Sequence, residues 1–181
     1  GGADIGECFV TAQQIEPGDH DGWLSAWRST ADRVFAAAEA SEAAGHLVSA
    51  REAYLRAVTY YRTSGVFLYR APLDPRFVDA FHRLQEAFRR AAVLSASRIE
   101  RVEIPYEGTT LPGYFMAPDG AEARPTLIIT NSYDGTIEEL YFSGGLAALK
   151  RGYACLVFDG PGQGGALIDQ GLVFRPDWEA V

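Results

Sequence analysis

Two short apolar runs, "TLIIT" at Thr126 to Thr130 and "YACLVF" at Tyr153 to Phe158, stand on either side of a stretch with helical period. This arrangement constrains the fold more than any other feature of the chain. Apolar runs of this length without alternation suit strands covered on both faces. The stretch between them opens at Thr136, whose side chain can cap the free amides of a first turn while Glu139 reaches back. It runs to about Arg151, and Gly152 stops it. Strand, helix and strand in this order predict a right-handed parallel βαβ unit.

The segments upstream have different periods. "RIERVEIPYEGTTLPGYFMAP" reads as two strands: Val102, Ile104 and Tyr106 alternate with their neighbours, and Leu111, Tyr114 and Met116 follow a turn at Gly108. The turn is short enough for an antiparallel hairpin. From Gly22 to about Ser97 the apolar residues repeat at helical spacing instead. Trp23, Trp27, Val34 and Ala38 form one stripe; Leu47, Ala50, Tyr54, Val58 and Tyr61 a second; Phe77, Phe81, Leu84, Phe88 and Ala91 a third. Three amphipathic helices follow, separated by Gly45 and by the "APLDP" break at Ala71 to Pro75. The segment "AGHLVSAREAYLRAVTYY" looks like one tetratricopeptide unit, but no second copy occurs at the required period and one repeat cannot bury its own face, so a repeat array is not expected.

The chain thus divides into a helical region, 1–98, and an α/β region, 99–181. The last residues, "FRPDWEAV", read as the first turn of another helix, with Pro176 near its start and Asp177 and Glu179 favourable there. A parallel pair plus a hairpin needs helices on both faces to be buried, so the expectation is the N-terminal part of a larger protein.

Charge and composition exclude several functions. Residues 1–98 carry 11 basic and 12 acidic groups and residues 99–181 carry 5 and 12, within a net charge of −8. An acidic second half repels phosphate backbones, which argues against nucleic acid as a partner. Lys150 is the only lysine, so no other lysine of this chain can serve a mechanism. Cys8 and Cys155 are far apart, and His20, His46 and His82 lack ligand spacing, so neither a metal nor a disulfide scaffold is expected. No apolar run approaches the roughly 20 residues of a membrane span, and the N-terminus lacks a signal-peptide layout. A cytoplasmic location without a membrane partner is the expectation.

The densest motif is "LVFDGPGQGG", Leu156 to Gly165. A dinucleotide loop would follow a first strand, would not lose an amide to Pro161, and would open a helix; "ALIDQGLVF" is not convincingly amphipathic. A nucleotide-hydrolase switch would need an upstream G-x-x-x-x-G-K-[ST], which is missing. What remains is a tight turn at the carboxyl end of a parallel strand, on the rim where open α/β sheets place ligands, with Asp159 capping or bracing nearby amides.

"LPGYFMAP", "TLIITNSYDGT", "EELYF" and "VFDGPGQGG" follow one another in an order that resembles the α/β-hydrolase superfamily. The similarity is to its branch with an N-terminal helical region: 2,6-dihydroxypseudooxynicotine hydrolase, the fungal polyketide chain-shortening hydrolases and the fermentation-respiration switch esterase-like proteins. "GGADIGECFVTAQQI" and "WLSAW" look like the same branch. The resemblance implies an α/β fold, with an N-terminal helical cap followed by the first strands of the hydrolase sheet. It implies serine-hydrolase chemistry without a cofactor.

The chain departs from the pattern in having no G-x-S-x-G and no histidine after His82; "YFSGG" at Ser143 lies in a helix and lacks the leading glycine. The catalytic Ser, Asp and His are therefore expected after Val181. This segment would supply part of the oxyanion hole from the backbone amides of Tyr133 or Asp134. Ser132, Gly135, Asp159, Gly160 and Gly162 would shape the loops around it.

The helices would cap the mouth, with Tyr60, Tyr61, Phe67 and Tyr69 either lining a pocket or simply forming core. The implied partner is a small, bulky or aromatic carbonyl substrate, cleaved at an ester, amide or carbon–carbon bond, and a homodimer is a candidate assembly. A second reading is a non-catalytic binding protein that docks through its helices, with the α/β part as a degenerate scaffold.

Overall fold

The computed structural model describes residues 2–120 and 123–181, which form two compact units, the first ending at Leu94 and the second spanning Ser95–Val181.

The first unit holds four helices: α1 (Ile5–Ala12), α2 (His20–Ala43), α3 (Leu47–Ser64) and α4 (Pro75–Val93). Asp4, Asp19 and Asp74 accept backbone N–H bonds at the starts of α1, α2 and α4, and Pro75 stands in the first turn of α4, where a missing N–H does no harm. The third stripe is buried throughout, from Phe77 to Ala91. The second is buried from Ala50 to Tyr61, but Leu47 is 50% exposed because it sits in the first turn of α3, beyond the overlap with its neighbours. The short α1 was not anticipated as a helix; eight residues are too few for a periodic signal.

Tyr60 and Tyr61, the candidate pocket residues, are core. Each fully buried tyrosine of α3 directs its hydroxyl to a carboxylate at the edge of the unit: Tyr54 to Glu42 at 2.8 Å, Tyr60 to Glu7 at 2.7 Å and Tyr61 to Asp32 at 2.6 Å. Burial, reinforced by these acceptors, pushes all three phenols well above their ordinary range. Phe67 remains half exposed, stacked on His20 at 4.5 Å, and Tyr69 meets Phe77 edge-on.

The second unit is a four-stranded sheet built from β1 (Arg98–Tyr106), β2 (Thr109–Ala117), β3 (Thr126–Thr130) and β4 (Ala154–Phe158), in the order β1-β2-β4-β3. β1 and β2 form the expected antiparallel hairpin, with Tyr106 opposite Thr109. β4 pairs antiparallel with β2 and parallel with β3, aligning Thr126 with Ala154 and Thr130 with Phe158.

Among the described residues β4 is the more deeply buried of the two apolar strands, whereas in β3 Leu127 is 44% and Ile128 63% exposed.

The helix after β3 is interrupted. α5 (Ile137–Leu140) passes through a wide π-helical turn at Tyr141–Gly145 into α6 (Leu146–Leu149). A side chain on Gly144 would strike Ile129, and one on Gly145 would come within 3.1 Å of the Met116 sulfur, so the wide turn presses bare backbone onto the sheet. After β4 a short helix, α7 (Gly164–Ile168), takes in only the first three residues of "ALIDQGLVF". It is five residues long, too short to show a periodic pattern. The final segment makes one 3₁₀ turn at Trp178–Ala180, with Asp177 before it in an ion pair with Arg175.

The burial pattern separates two leucines of similar appearance in the sequence. Leu84→Ala is expected to destabilise the chain by about 2–5 kcal/mol through the cavity it leaves, whereas Leu47→Ala should change stability by less than about 0.5 kcal/mol. Chemical denaturation of both variants measures the difference; equal losses would contradict the placement of Leu47.

Candidate active site

In a parallel pair both strands deliver their carboxyl ends to one rim. Because Thr130 lies opposite Phe158, the next residues, Asn131 and Asp159, emerge side by side there. The Asn131 amide Nδ2 donates to Asp159 Oδ1 at 2.6 Å, and Asp159 Oδ2 accepts the N–H of Gly165 at 2.8 Å, in the first turn of α7. Gln163 completes the group: its Nε2 donates to the Asn131 carbonyl at 2.7 Å and its Oε1 accepts the Gly160 N–H at 2.9 Å. All of these side chains are buried. Burial pushes the Asp159 carboxyl up to about 6, and the bonds from Asn131 and Gly165 hold it back from rising further.

Loop 131–136 starts from this anchor. The Ser132 N–H donates to Asn131 Oδ1 at 2.8 Å, and Gly135 closes over the same oxygen so tightly that an added Cβ would collide with it. Ser132, Tyr133 and Asp134 are exposed on the rim, while Gly135 is buried. Thr136 then caps α5 as its spacing predicts: its Oγ1 accepts the Glu139 N–H and Glu139 Oε2 accepts the Thr136 N–H at 3.0 Å.

The glycines of the second loop have a steric cause. Residues 172–178 lie across it: the Gly162 N–H donates to the Leu172 carbonyl at 2.7 Å, and Trp178 Nε1 donates to the Pro161 carbonyl at 3.2 Å. A Cβ on Gly162, whose φ is +87°, would come within 2.7 Å of the Phe174 Cα, and one on Gly160 would enter the Trp178 ring. The same strap carries an aromatic row in which the Tyr133 ring lies 6.1 Å from Phe174, itself stacked at 6.1 Å on Trp178. The structure therefore brings Ser132, Tyr133, Asp134, Gly135 and Asp159 to one rim through Asn131, and places Gly160 and Gly162 under the strap. Among the described residues no cluster of histidine, cysteine and carboxylate side chains could hold a metal ion, and no helix is long and apolar enough to cross a membrane.

Three residues escaped the sequence reading: Asn131, Gln163 and Glu138. Glu138, in the first turn of α5, is completely buried, and neither carboxyl oxygen has a hydrogen-bond partner of good geometry among the described residues. Burial, and after it the charge of Asp159, pushes its carboxyl up to about 8. The only signal of it in the sequence was an acidic residue between two that form the capping box.

Comparison with known proteins bears on the fold as a whole. No protein-family model matches the chain. Hydrolase LUC6 of Fusarium sp is 42% identical over 185 residues, which cover 99% of this chain and 44% of that protein. Alpha/beta hydrolase psoB of Aspergillus fumigatus is 38% identical over 188 residues, covering 99% of this chain and 42% of that protein. The crystal structure of the 2,6-dihydroxy-pseudo-oxynicotine hydrolase matches 99% of this chain and 48% of its own, with a TM-score of 0.83 at 28% identity. The chain carries the N-terminal part of the α/β-hydrolase fold. It spans less than half the length of the curated relatives it matches. Among the described residues the rim of β3 and β4 is built from residues 131–178.

Glu138 gives this segment a pH signature. Its carboxyl keeps a proton in the fold that the unfolded chain gives up near 4.5, so its contribution to stability is complete below that pH and is lost as pH rises through about 8. Glu138→Gln cannot ionise and should flatten this part of the profile. Relative to the parent, its melting temperature is expected to gain several degrees between about pH 5 and pH 9. Parallel melting profiles would show that another group titrates.

Proposed function

We propose that this chain is the N-terminal segment of a serine-dependent α/β hydrolase that cleaves an ester, amide or carbon–carbon bond next to a carbonyl. The observation that carries the reading is the match of 99% of the chain to the 2,6-dihydroxy-pseudo-oxynicotine hydrolase, together with named hydrolases as its curated relatives. All three reactions pass through an oxyanion, and donors preorganised toward it supply a large share of such catalysis. In α/β hydrolases one donor is the backbone N–H after the nucleophile and the other comes from the loop after the third strand.

Loop 131–136 follows β3, and Tyr133 and Asp134 are exposed at the rim; in this reading the backbone amide of one of them supplies that donor. In this reading Ser132 and Gly135 set the curvature of the loop. Asp159, Gly160 and Gly162 hold the facing loop, and the nucleophile, the acid and the histidine lie C-terminal to Val181. Tyr133 and Phe174 supply aromatic surface beside the loop, which suits a bulky or aromatic carbonyl substrate. No cofactor enters the reaction.

A fluorophosphonate probe applied to the full-length protein tests the reading, and labelling of a serine downstream of Val181 is expected. Absence of labelling in folded protein would favour a binding protein on a degenerate scaffold. Gly135→Val, which forces the loop away from Asn131, should lower turnover by about tenfold or more; unchanged turnover would remove loop 131–136 from the oxyanion hole.

A further inference from the structure

We infer that Gln163 is a positioning residue for the oxyanion loop, acting through Asn131; the inference rests on the hydrolase reading above. Its terminal amide offers a donor and an acceptor at one end of a single side chain, and both are used. The donor holds the Asn131 carbonyl at 2.7 Å and the acceptor holds the Gly160 N–H at 2.9 Å. The opposite side of Asn131 is held as well, since its Nδ2 reaches Asp159 and its Oδ1 takes the Ser132 N–H. Asn131 is thus clamped by backbone and side chain together, at the point where β3 ends and the loop begins.

These bonds lie beyond the last strand pair, Thr130 with Phe158, so the ladder of β3 and β4 is complete without them. What they fix is the loops. Gly135 wraps over the Asn131 side chain, so any shift of Asn131 carries Ser132 to Gly135 with it. Gln163 is almost fully buried, which leaves little room for water to replace its bonds. Misplacement of a catalytic donor by about 1 Å can lower turnover a hundredfold, and loss of one oxyanion donor by 10²–10³. Gln163 touches neither substrate nor nucleophile in this scheme; it sets where the loop amides stand.

The test uses the full-length protein, p-nitrophenyl acetate as substrate and a fluorophosphonate as active-site probe. Gln163→Met keeps the shape and loses both bonds; Gln163→Glu, assayed at alkaline pH where its carboxyl is ionised, keeps the acceptor for Gly160 and loses the donor to Asn131. Both variants are expected to show kcat and probe-labelling rates about tenfold or more below the parent, with KM within about twofold. A variant that only unfolds more easily, with kcat per labelled site unchanged, would overturn the inference. So would full activity in Gln163→Glu, because it would place the effect at Gly160. Should the methionine variant fail to fold, the glutamate variant decides alone. An unlabelled parent would defeat the hydrolase reading and this inference with it, whereas a labelled parent with unimpaired variants would defeat the inference only.

Discussion

The carboxyl group of Asp159 sets the terms for the rim of the sheet. A central strand delivers it to a place without solvent, where an unpaired charge would be costly, and the fold answers with two donors from different segments. The Gly165 N–H fixes where α7 begins, and the Asn131 amide ties the end of β3 to the end of β4. One acid therefore determines the direction of both loops leaving the parallel pair. The same burial lifts its carboxyl to about 6, so the arrangement is held by hydrogen bonds to a carboxylate that gains little from solvent.

The helical unit solves a related problem in a different way. Its interior contains tyrosines where leucines would pack without polar atoms, and each hydroxyl runs out to a carboxylate at the margin. Arg28 and Arg90 stand over the rings of Tyr61 and Tyr54, at 5.4 Å and 5.2 Å, and pair with Asp32 and Glu42, the carboxylates those tyrosines reach. Ring, hydroxyl, acid and guanidinium form a repeated unit along α3, which gives the packing a polar register that apolar residues alone would not specify.

What could be read from the sequence depended on how local its cause was. The stripes of α2, α3 and α4 need only neighbours one turn away, and Phe77 to Ala91 are buried as the period predicts. The capping box at Thr136 and Glu139 is likewise local. The strand beside which "TLIIT" lies was not legible, because an apolar run does not name its neighbour; that depends on a partner about 28 residues away. Asn131 and Gln163 were missed for the same reason: an amide in a turn looks like turn chemistry until its partners, 28 and 32 residues distant, are known. The glycine loop was correctly placed at a strand end. Its composition has a cause outside the motif, in the strap that crosses Gly160 and Gly162.

The strand order β1-β2-β4-β3 also has a consequence for how the chain is made. On the ribosome β3 emerges before β4, yet it has no place beside β2 until β4 arrives to separate them. The hairpin must wait too, with Leu111, Tyr114 and Met116 uncovered, while about forty further residues are added between Ala117 and Phe158. At ordinary elongation rates that interval is on the order of seconds, far longer than a hairpin needs to form. During it the nascent hairpin presents an apolar face and two open edges, the condition in which a chain is exposed to wrong edge pairing.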